Sequence, residues 1–162
     1  MRKIMLILVG ILIVQSGYKI IPVLAAKVAS PPVSPASQGE DFIEAKKTME
    51  AFLQCFVVGN IECAMSRVSK NLSVKDNVRT SGYDELKIYL VTLFQSTKSR
   101  SIDNLKIIES KVSNNEVTVL IEYHTKAFNL DNSMAYEKTR KEQYSLIKEE
   151  NSWKIVAILR MS

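Results

Sequence analysis

Hydrophobic residues first recur at helical spacing between Glu40 and Gly59. They lie three and four residues apart and form one apolar stripe: Phe42, Ala45, Met49, Phe52, Leu53 and Phe56. Gly59 predicts the C-terminal stop of this helix. Asn60 then predicts the N-cap of a second, shorter helix, whose apolar positions are Ile61, Met65 and Val68.

A third helix is predicted after Ser81. The run Ser81-Gly82-Tyr83-Asp84 resembles a capping box in which Asp takes the place of the usual Glu. The apolar positions that follow again share one side of a helix: Leu86, Tyr89, Leu90, Leu93 and Phe94. Three helices are therefore predicted before any strand.

After Arg100 the hydrophobic period falls towards two, which predicts strands. Four strands are predicted: Leu105–Val112, Val117–His124, Tyr136–Lys148 and Trp153–Leu159. The second alternates apolar and polar residues and so has one buried face, whereas the last is nearly all apolar and is predicted to be central. Helices followed by an antiparallel meander favour an α+β domain over a doubly wound parallel sheet.

Residues 1–26 have the features of a membrane-targeting segment. Arg2 and Lys3 precede an apolar run over residues 4–14, which is typical of a secretory signal peptide with cleavage after Ala25. The alternative is an uncleaved anchor that places Lys19 inside the bilayer. Both interpretations put the rest of the chain outside the cytoplasm, in the periplasm or secreted, with the membrane reached only through residues 1–26.

Residues 27–39 predict an extended spacer, because they hold three of the four prolines together with several serines. The domain then occupies residues 40–162.

Of the 22 basic residues, Arg2, Lys3 and Lys19 precede Lys27, while all 17 acidic residues follow it, so the remainder carries only +2 of the +5 net charge. This balance gives no electrostatic case for nucleic acid.

The order of these elements resembles the nuclear transport factor 2-like superfamily, the SnoaL-like cone-shaped α+β barrels. The resemblance is carried by three runs: residues 52–60 with Ala64, then residues 83–86, and residues 143–148 leading into Trp153-Lys154-Ile155. It implies three N-terminal helices packed on a strongly curved antiparallel sheet of about four strands, which forms a cone-shaped half-barrel around a pocket. It also implies homodimerisation through the convex face of the sheet.

Enzymes of this superfamily that resemble ketosteroid isomerase place Asp residues on the sheet, facing the pocket. All Asp residues of this chain fall in predicted loops or helix starts, so no such base carries over. Glu122 and His124, two residues apart on one strand face, are the remaining candidates for an acid–base pair. The competing interpretation is a solvated outer face, shared with Thr118 and Lys126.

A ligand-binding interpretation begins from the inward-facing positions. If Tyr123 and Tyr144 face the pocket, the strand period brings Tyr136, Arg140 and Glu142 to the same side. Tyrosines with one Arg suit a small apolar body that carries an anionic group. The alternative is that the tyrosines are core residues and that Arg140 and Glu142 only pair with each other.

Cys55 and Cys63 are the only cysteines and lie on either side of the Gly59-Asn60 break. Outside the cytoplasm they favour a disulfide, whereas their apolar surroundings also suit two buried thiols. Two Cys and one distant His lack the number and spacing of metal ligands, and no cofactor is predicted.

Three functions follow from these patterns. The leading hypothesis is an exported, non-enzymatic domain that binds a small ligand or a protein partner. The second is a membrane-anchored assembly subunit that resembles periplasmic components of type IV secretion systems. The third is a small pocket enzyme that uses acid–base chemistry.

Overall fold

The structure, a computed structural model, describes residues 35–161, and side chains from residue 39 onward. The predicted leader, its cleavage site and most of the spacer lie outside this range. The described residues form three helices, α1 (Pro35–Val58), α2 (Ile61–Ser66) and α3 (Tyr83–Ser96). They also form six strands: β1 (Val68–Lys75), β2 (Thr80–Ser81), β3 (Thr97–Ser113), β4 (Glu116–Asn129), β5 (Met134–Glu149) and β6 (Ser152–Met161).

The break between α1 and α2 follows the predicted residues. Gly59 has a positive φ of 73°, which suits a residue without a side chain at the end of a helix. The side chain of Asn60 accepts a hydrogen bond of 2.9 Å from the backbone N–H of Cys63 and caps α2. A disulfide joins Cys55 to Cys63 across this break, with their Cα atoms 5.7 Å apart.

Two sequence predictions at helix ends were wrong. Val68 belongs to β1 and not to α2, which ends two residues earlier at Ser66. The cap of α3 is shifted by one residue, because Gly82 is its N-cap and Glu85 accepts the Gly82 backbone N–H at 2.9 Å. Glu thus holds the position where the sequence had predicted Asp.

The sheet is open and has the order β2-β1-β6-β5-β4-β3. The prediction of about four antiparallel strands was therefore wrong, because six strands are present and β1 pairs with β6 in parallel. Polar residues in β1 hide its apolar alternation, and β2 has only two residues, too few for a periodic signal. The apolar β6 is central in the sheet, as predicted, although its outer-face residues keep partial solvent exposure.

The core lies between the helices and the inner face of the sheet. It joins the stripes of α1 and α3 to alternate residues of β4, β5 and β6; its largest fully buried side chains include Met49, Leu90, Ile121, Tyr144, Leu146 and Ile155. The helices and the inner face of the sheet enclose a space, the cone, whose mouth lies beside Lys138–Glu142 of β5 and Arg160 of β6. Among residues 35–161, no helix is long and apolar enough to span a membrane.

Candidate functional site

Pairing between strands β4, β5 and β6 brings several polar side chains together on the inner face of the sheet. In the β4–β5 register Tyr123 lies opposite Arg140, and Ile121 lies opposite Glu142. In the β5–β6 register Glu142 lies opposite Arg160. Because directly paired residues share a sheet face, these side chains converge inside the cone.

The buried carboxylate of Glu142 contacts the other polar side chains of this group. Glu142 is only 3% exposed. Its Oε2 accepts hydrogen bonds from the hydroxyls of Tyr123 (2.9 Å) and Tyr144 (2.7 Å). Its Oε1 lies 3.4 Å from Nη1 of Arg140 and 3.3 Å from Nε of Arg160. These five residues, the Glu142 cluster, leave the carboxylate surrounded by donors and carry a net positive charge.

The electrostatics of the Glu142 cluster hold its tyrosines neutral. Burial, followed by the charge of Glu142, raises the pKa of Tyr123 and of Tyr144 well above the usual value for a phenol. Burial lowers the pKa of Arg140, but the attraction of Glu142 together with that of the surrounding tyrosines outweighs this effect, and the pKa is raised. Both phenols therefore remain donors to a carboxylate that two charged guanidiniums face.

The inside of the cone is nearly filled. Between the Glu142 cluster and the apolar side chains of α1 and α3 there is a chamber of about 30 Å³, which is room for about one water molecule. Phe52 closes it from one side and packs edge-on against Tyr144, with ring centroids 6.3 Å apart. A small organic ligand therefore does not fit inside the cone as it stands.

Two larger clefts open at the mouth of the cone. The basic cleft, about 500 Å³, runs beside the ends of β5 and β6 and is lined in part by Asp76, Lys138, Arg140, Lys141, Glu142 and Arg160. The apolar cleft, about 350 Å³, lies between α3 and the β1–β2 hairpin and is lined in part by Val74, Arg79, Glu85, Leu86, Ile88 and Thr92. Tyr89 and Arg160 line both clefts and also the inner chamber.

The Arg160 guanidinium lies 5.7 Å from the centre of the Tyr89 ring, a cation–π contact. This pair therefore stands where the two clefts and the inner chamber meet. The sequence predicts neither residue as functional. Tyr89 falls in the predicted apolar stripe of α3, and the predicted last strand ends one residue before Arg160. Residues two apart on a strand share a face, so continuing the alternation from the buried Ile158 by two residues predicts that Arg160 lies on the inner face.

The predicted pocket residues separate into two groups. Tyr123, Arg140 and Tyr144 meet at Glu142, as described above. Tyr136 lies further along β5, opposite Ala127, and its buried hydroxyl lies near Thr125 without a hydrogen bond of good geometry. Burial, followed by the nearby phenol of Tyr89, raises the pKa of Tyr136. It therefore stands apart from the Glu142 cluster.

Glu122 and His124 lie on the other face of the sheet. His124 contacts Glu137 through Nε2 (3.0 Å) and Thr139 through Nδ1 (3.4 Å). Lys126, and then His124, lower the pKa of the Glu137 carboxyl. Glu122 lies in register between a Lys of β3 and a Lys of β5. Both candidates for acid–base chemistry are thus placed among outer-face charges, away from the Glu142 cluster.

In residues 35–161, no cluster of three or more His, Cys, Asp or Glu side chains could hold a metal ion. The donor atoms at the Glu142 cluster are instead phenols and guanidiniums around one carboxylate, a set that suits an anion better than a cation.

Comparisons with solved structures place this fold among known proteins. A ketosteroid isomerase-like protein from Erwinia carotovora atroseptica is 17% identical, with a TM-score of 0.62 over 76% of this chain and 98% of the other. A nuclear transport factor 2-like superfamily protein from Salmonella enterica is 16% identical, with a TM-score of 0.63 over 76% and 92% of the two chains.

A conserved protein from Planctomyces limnophilus is 10% identical, with a TM-score of 0.64 over 76% of this chain and 98% of the other. No protein-family model and no curated protein sequence matches the chain. At these identities the similarity is one of fold. The domain has the α+β fold of the nuclear transport factor 2-like superfamily.

Proposed function

We propose that this domain is a non-enzymatic binding module that takes a small organic anion at the mouth of the cone. The observation that carries the proposal is the Glu142 cluster. One buried carboxylate orients Arg140 and Arg160 at the edge of the basic cleft, and two guanidiniums against one carboxylate leave a net positive charge there. A fixed, partly desolvated cation of this kind favours carboxylates, sulfonates and phosphates.

The saturation of Glu142 favours binding over acid–base catalysis. A general base needs a lone pair that is free to accept a proton from the substrate. Oε2 of Glu142 accepts hydrogen bonds from both phenols, at 2.7 and 2.9 Å, and Oε1 accepts one from Nη1 of Arg140 at 3.4 Å. Arg160 adds an ion pair at 3.3 Å, in which its Nε makes no hydrogen bond within residues 35–161. Taking up a proton there would break contacts with Tyr123 or Tyr144, or remove the charge that balances the arginines. Glu142 therefore acts as an anchor for the site.

Lys138 adds to the positive charge of the basic cleft. Burial, followed by the repulsion of Arg140 and Arg160, lowers the pKa of this amine. Its ammonium lies 5.8 Å from the ring centre of Tyr136, and no ion pair joins it to a carboxylate of the described residues. An anion bound beside Lys138 would relieve this repulsion, so the cleft has a local electrostatic preference for such a ligand.

Calorimetric titration with naphthalene sulfonate, an apolar body with one anionic group, tests the proposal. Replacing Arg140 with Met keeps an apolar stem but removes the charge, and we expect the affinity to fall about 10- to 100-fold, since hydrogen bonds to charged groups contribute about 1.5–3 kcal/mol. Lys138→Met, which lies outside the Glu142 cluster, is expected to weaken binding in the same direction.

The matched control is Lys126→Met on the outer face, which should leave the affinity unchanged. Thermal melts of each variant separate loss of the site from loss of the fold. Equal affinities for the wild type, Arg140→Met and Lys138→Met would contradict the proposal, as would the absence of any binding by the folded wild type.

The module is proposed to act outside the cytoplasm, on the basis of the signal-like pattern in residues 1–26. Mass measurement of the mature N-terminus tests this part separately. A chain that begins at Ala26 agrees with cleavage after Ala25. A chain that retains residues 1–26 would contradict cleavage and would favour the membrane-anchored assembly subunit.

A further inference from the structure

The ligand proposed above has to lie outside the cone. The inner chamber holds about 30 Å³, whereas sites for small organic molecules have volumes of roughly 300–1,000 Å³. The walls of the chamber are core side chains, among them Phe52, Leu90 and Tyr144, all at most 5% exposed. Enlarging the chamber would mean displacing this core, so the ligand is held by the clefts at the mouth.

The apolar cleft has the size and the lining for a hydrocarbon body. Its volume of about 350 Å³ lies within the range of small-molecule sites. Leu86 and Val74 are buried residues of its wall, while Ile88 is 66% exposed on α3. Val78, at the tip of the adjacent β1–β2 hairpin, is 93% exposed and borders the basic cleft. A wall of buried aliphatic residues with Ile88 left in water beside it favours an apolar occupant.

The charges around the two clefts are distributed unequally. In the apolar cleft, Glu85 is bonded to the backbone N–H of Gly82, and Arg79 lies 4.0 Å from Asp76. The basic cleft has Lys138, Arg140 and Arg160 against Asp76 and Glu142; Lys141 also borders it but is in register with Glu122 of the outer face. The single charge of Glu142 is shared by both arginines. Three cations thus face two carboxylates, and one positive charge remains uncompensated in the basic cleft.

The clefts meet at the Tyr89–Arg160 pair. A ligand that uses both must lie across this pair, with its apolar part along α3 and its charge beside β5. A compact anion can occupy only one of the two. Resting on the proposed function, we infer that the natural ligand is an elongated amphipathic anion, a free straight-chain carboxylate, whose chain lies in the apolar cleft and whose head group lies by Arg160, Arg140 and Lys138.

Calorimetric titration of the whole protein with straight-chain carboxylates tests this inference, at concentrations below their micelle formation. From hexanoate to decanoate we expect the affinity to rise on the order of fourfold per methylene group buried, the ratio given by the transfer free energy of CH₂. The rise should stop once the apolar cleft is filled. Affinities that do not depend on chain length would overturn the inference.

Ile88→Asp places a carboxylate at the wall of the apolar cleft, at a position exposed enough to keep the fold. It should weaken decanoate binding at least tenfold and leave naphthalene sulfonate binding within twofold. The matched control is Ile43→Asp on α1, where an Ile that is 51% exposed lines neither cleft. Equal decanoate affinities for the two variants would overturn the inference.

The outcomes separate this inference from the proposed function. Suppose that naphthalene sulfonate binds and that Arg140→Met weakens its binding, while decanoate binds no better than hexanoate. The proposed anion-binding function is then supported and the elongated ligand is contradicted. If the folded protein binds neither naphthalene sulfonate nor decanoate, both the function and the ligand are contradicted. A third measurement is cosedimentation of the protein with phosphatidylglycerol vesicles in the presence of excess decanoate. Vesicle binding that decanoate does not displace would indicate that the protein binds a lipid surface, and would overturn the assignment to a free carboxylate.

Discussion

Replacing Glu142 with Gln tests the anchor of the site. The substitution keeps the shape of the side chain, so its oxygen can still accept from Tyr123 and Tyr144. The new amide group, however, points donors at Arg140 and Arg160, and the balancing charge is gone. Removing one partner of a buried ion pair costs about 3–5 kcal/mol. The two Arg side chains keep 16% and 26% exposure, which lets water solvate them and lowers the expected loss to about 2–3 kcal/mol.

The assay is urea unfolding at neutral pH, supported by thermal melts. For a domain of this size a loss of about 2–3 kcal/mol corresponds to a Tm lower by roughly 6–15 °C. The control is Glu137→Gln on the outer face, where the carboxylate pairs with Lys126 and is 38% exposed; there we expect a much smaller loss, because water screens an exposed ion pair. Equal stabilities of the two variants would refute the anchoring role of Glu142.

Three further predictions concern stability. Burial, and then the charge of Glu142, raises the pKa of Tyr144 above 10.0, so the contribution of Tyr144 to stability is constant below about pH 10 and falls as the pH rises above it; Tyr144→Phe should lessen the fall in urea midpoint between pH 8 and pH 11. Gly59→Ala should cost about 2 kcal/mol because its φ is +73°, whereas Gly39→Ala, with open space around it, should cost nothing. Reducing the Cys55–Cys63 disulfide should cost about 2.5 kcal/mol for so short a loop, and an unchanged melt after reduction would contradict it.

The sequence predicted most of the fold because its strongest signals are periodic. The stripe of α1 and the alternation in β4 follow directly from burial on one side of an element. The parallel strand β1 was missed because Ser69, Lys70 and Asn71 interrupt its apolar residues. Ser69 is buried, and its hydroxyl makes a tertiary contact by donating to Glu149 at 2.7 Å. A contact between residues so distant in sequence leaves no local pattern.

Part of the candidate site could be predicted from the sequence because strand residues alternate between the two faces of a sheet. This period places Arg140, Glu142 and Tyr144 on one face, and the pairing of Arg140 with Glu142 is one of the predicted alternatives. The roles of Arg160 and Tyr89 depend on how β6 and α3 meet β5 across the mouth. Whether the cone is open or filled depends on side-chain volumes packed in three dimensions, which periodicity does not give.

The most direct test of anion binding at the mouth of the cone is an NMR titration of the labelled protein with decanoate. The side-chain Nε–H signals of Arg140 and Arg160, and the backbone amide of Tyr89, should shift in a saturable manner. Signals of outer-face residues such as Glu122 and His124 should stay in place. Shifts confined to the outer face, or none with either decanoate or naphthalene sulfonate in excess, would contradict the account.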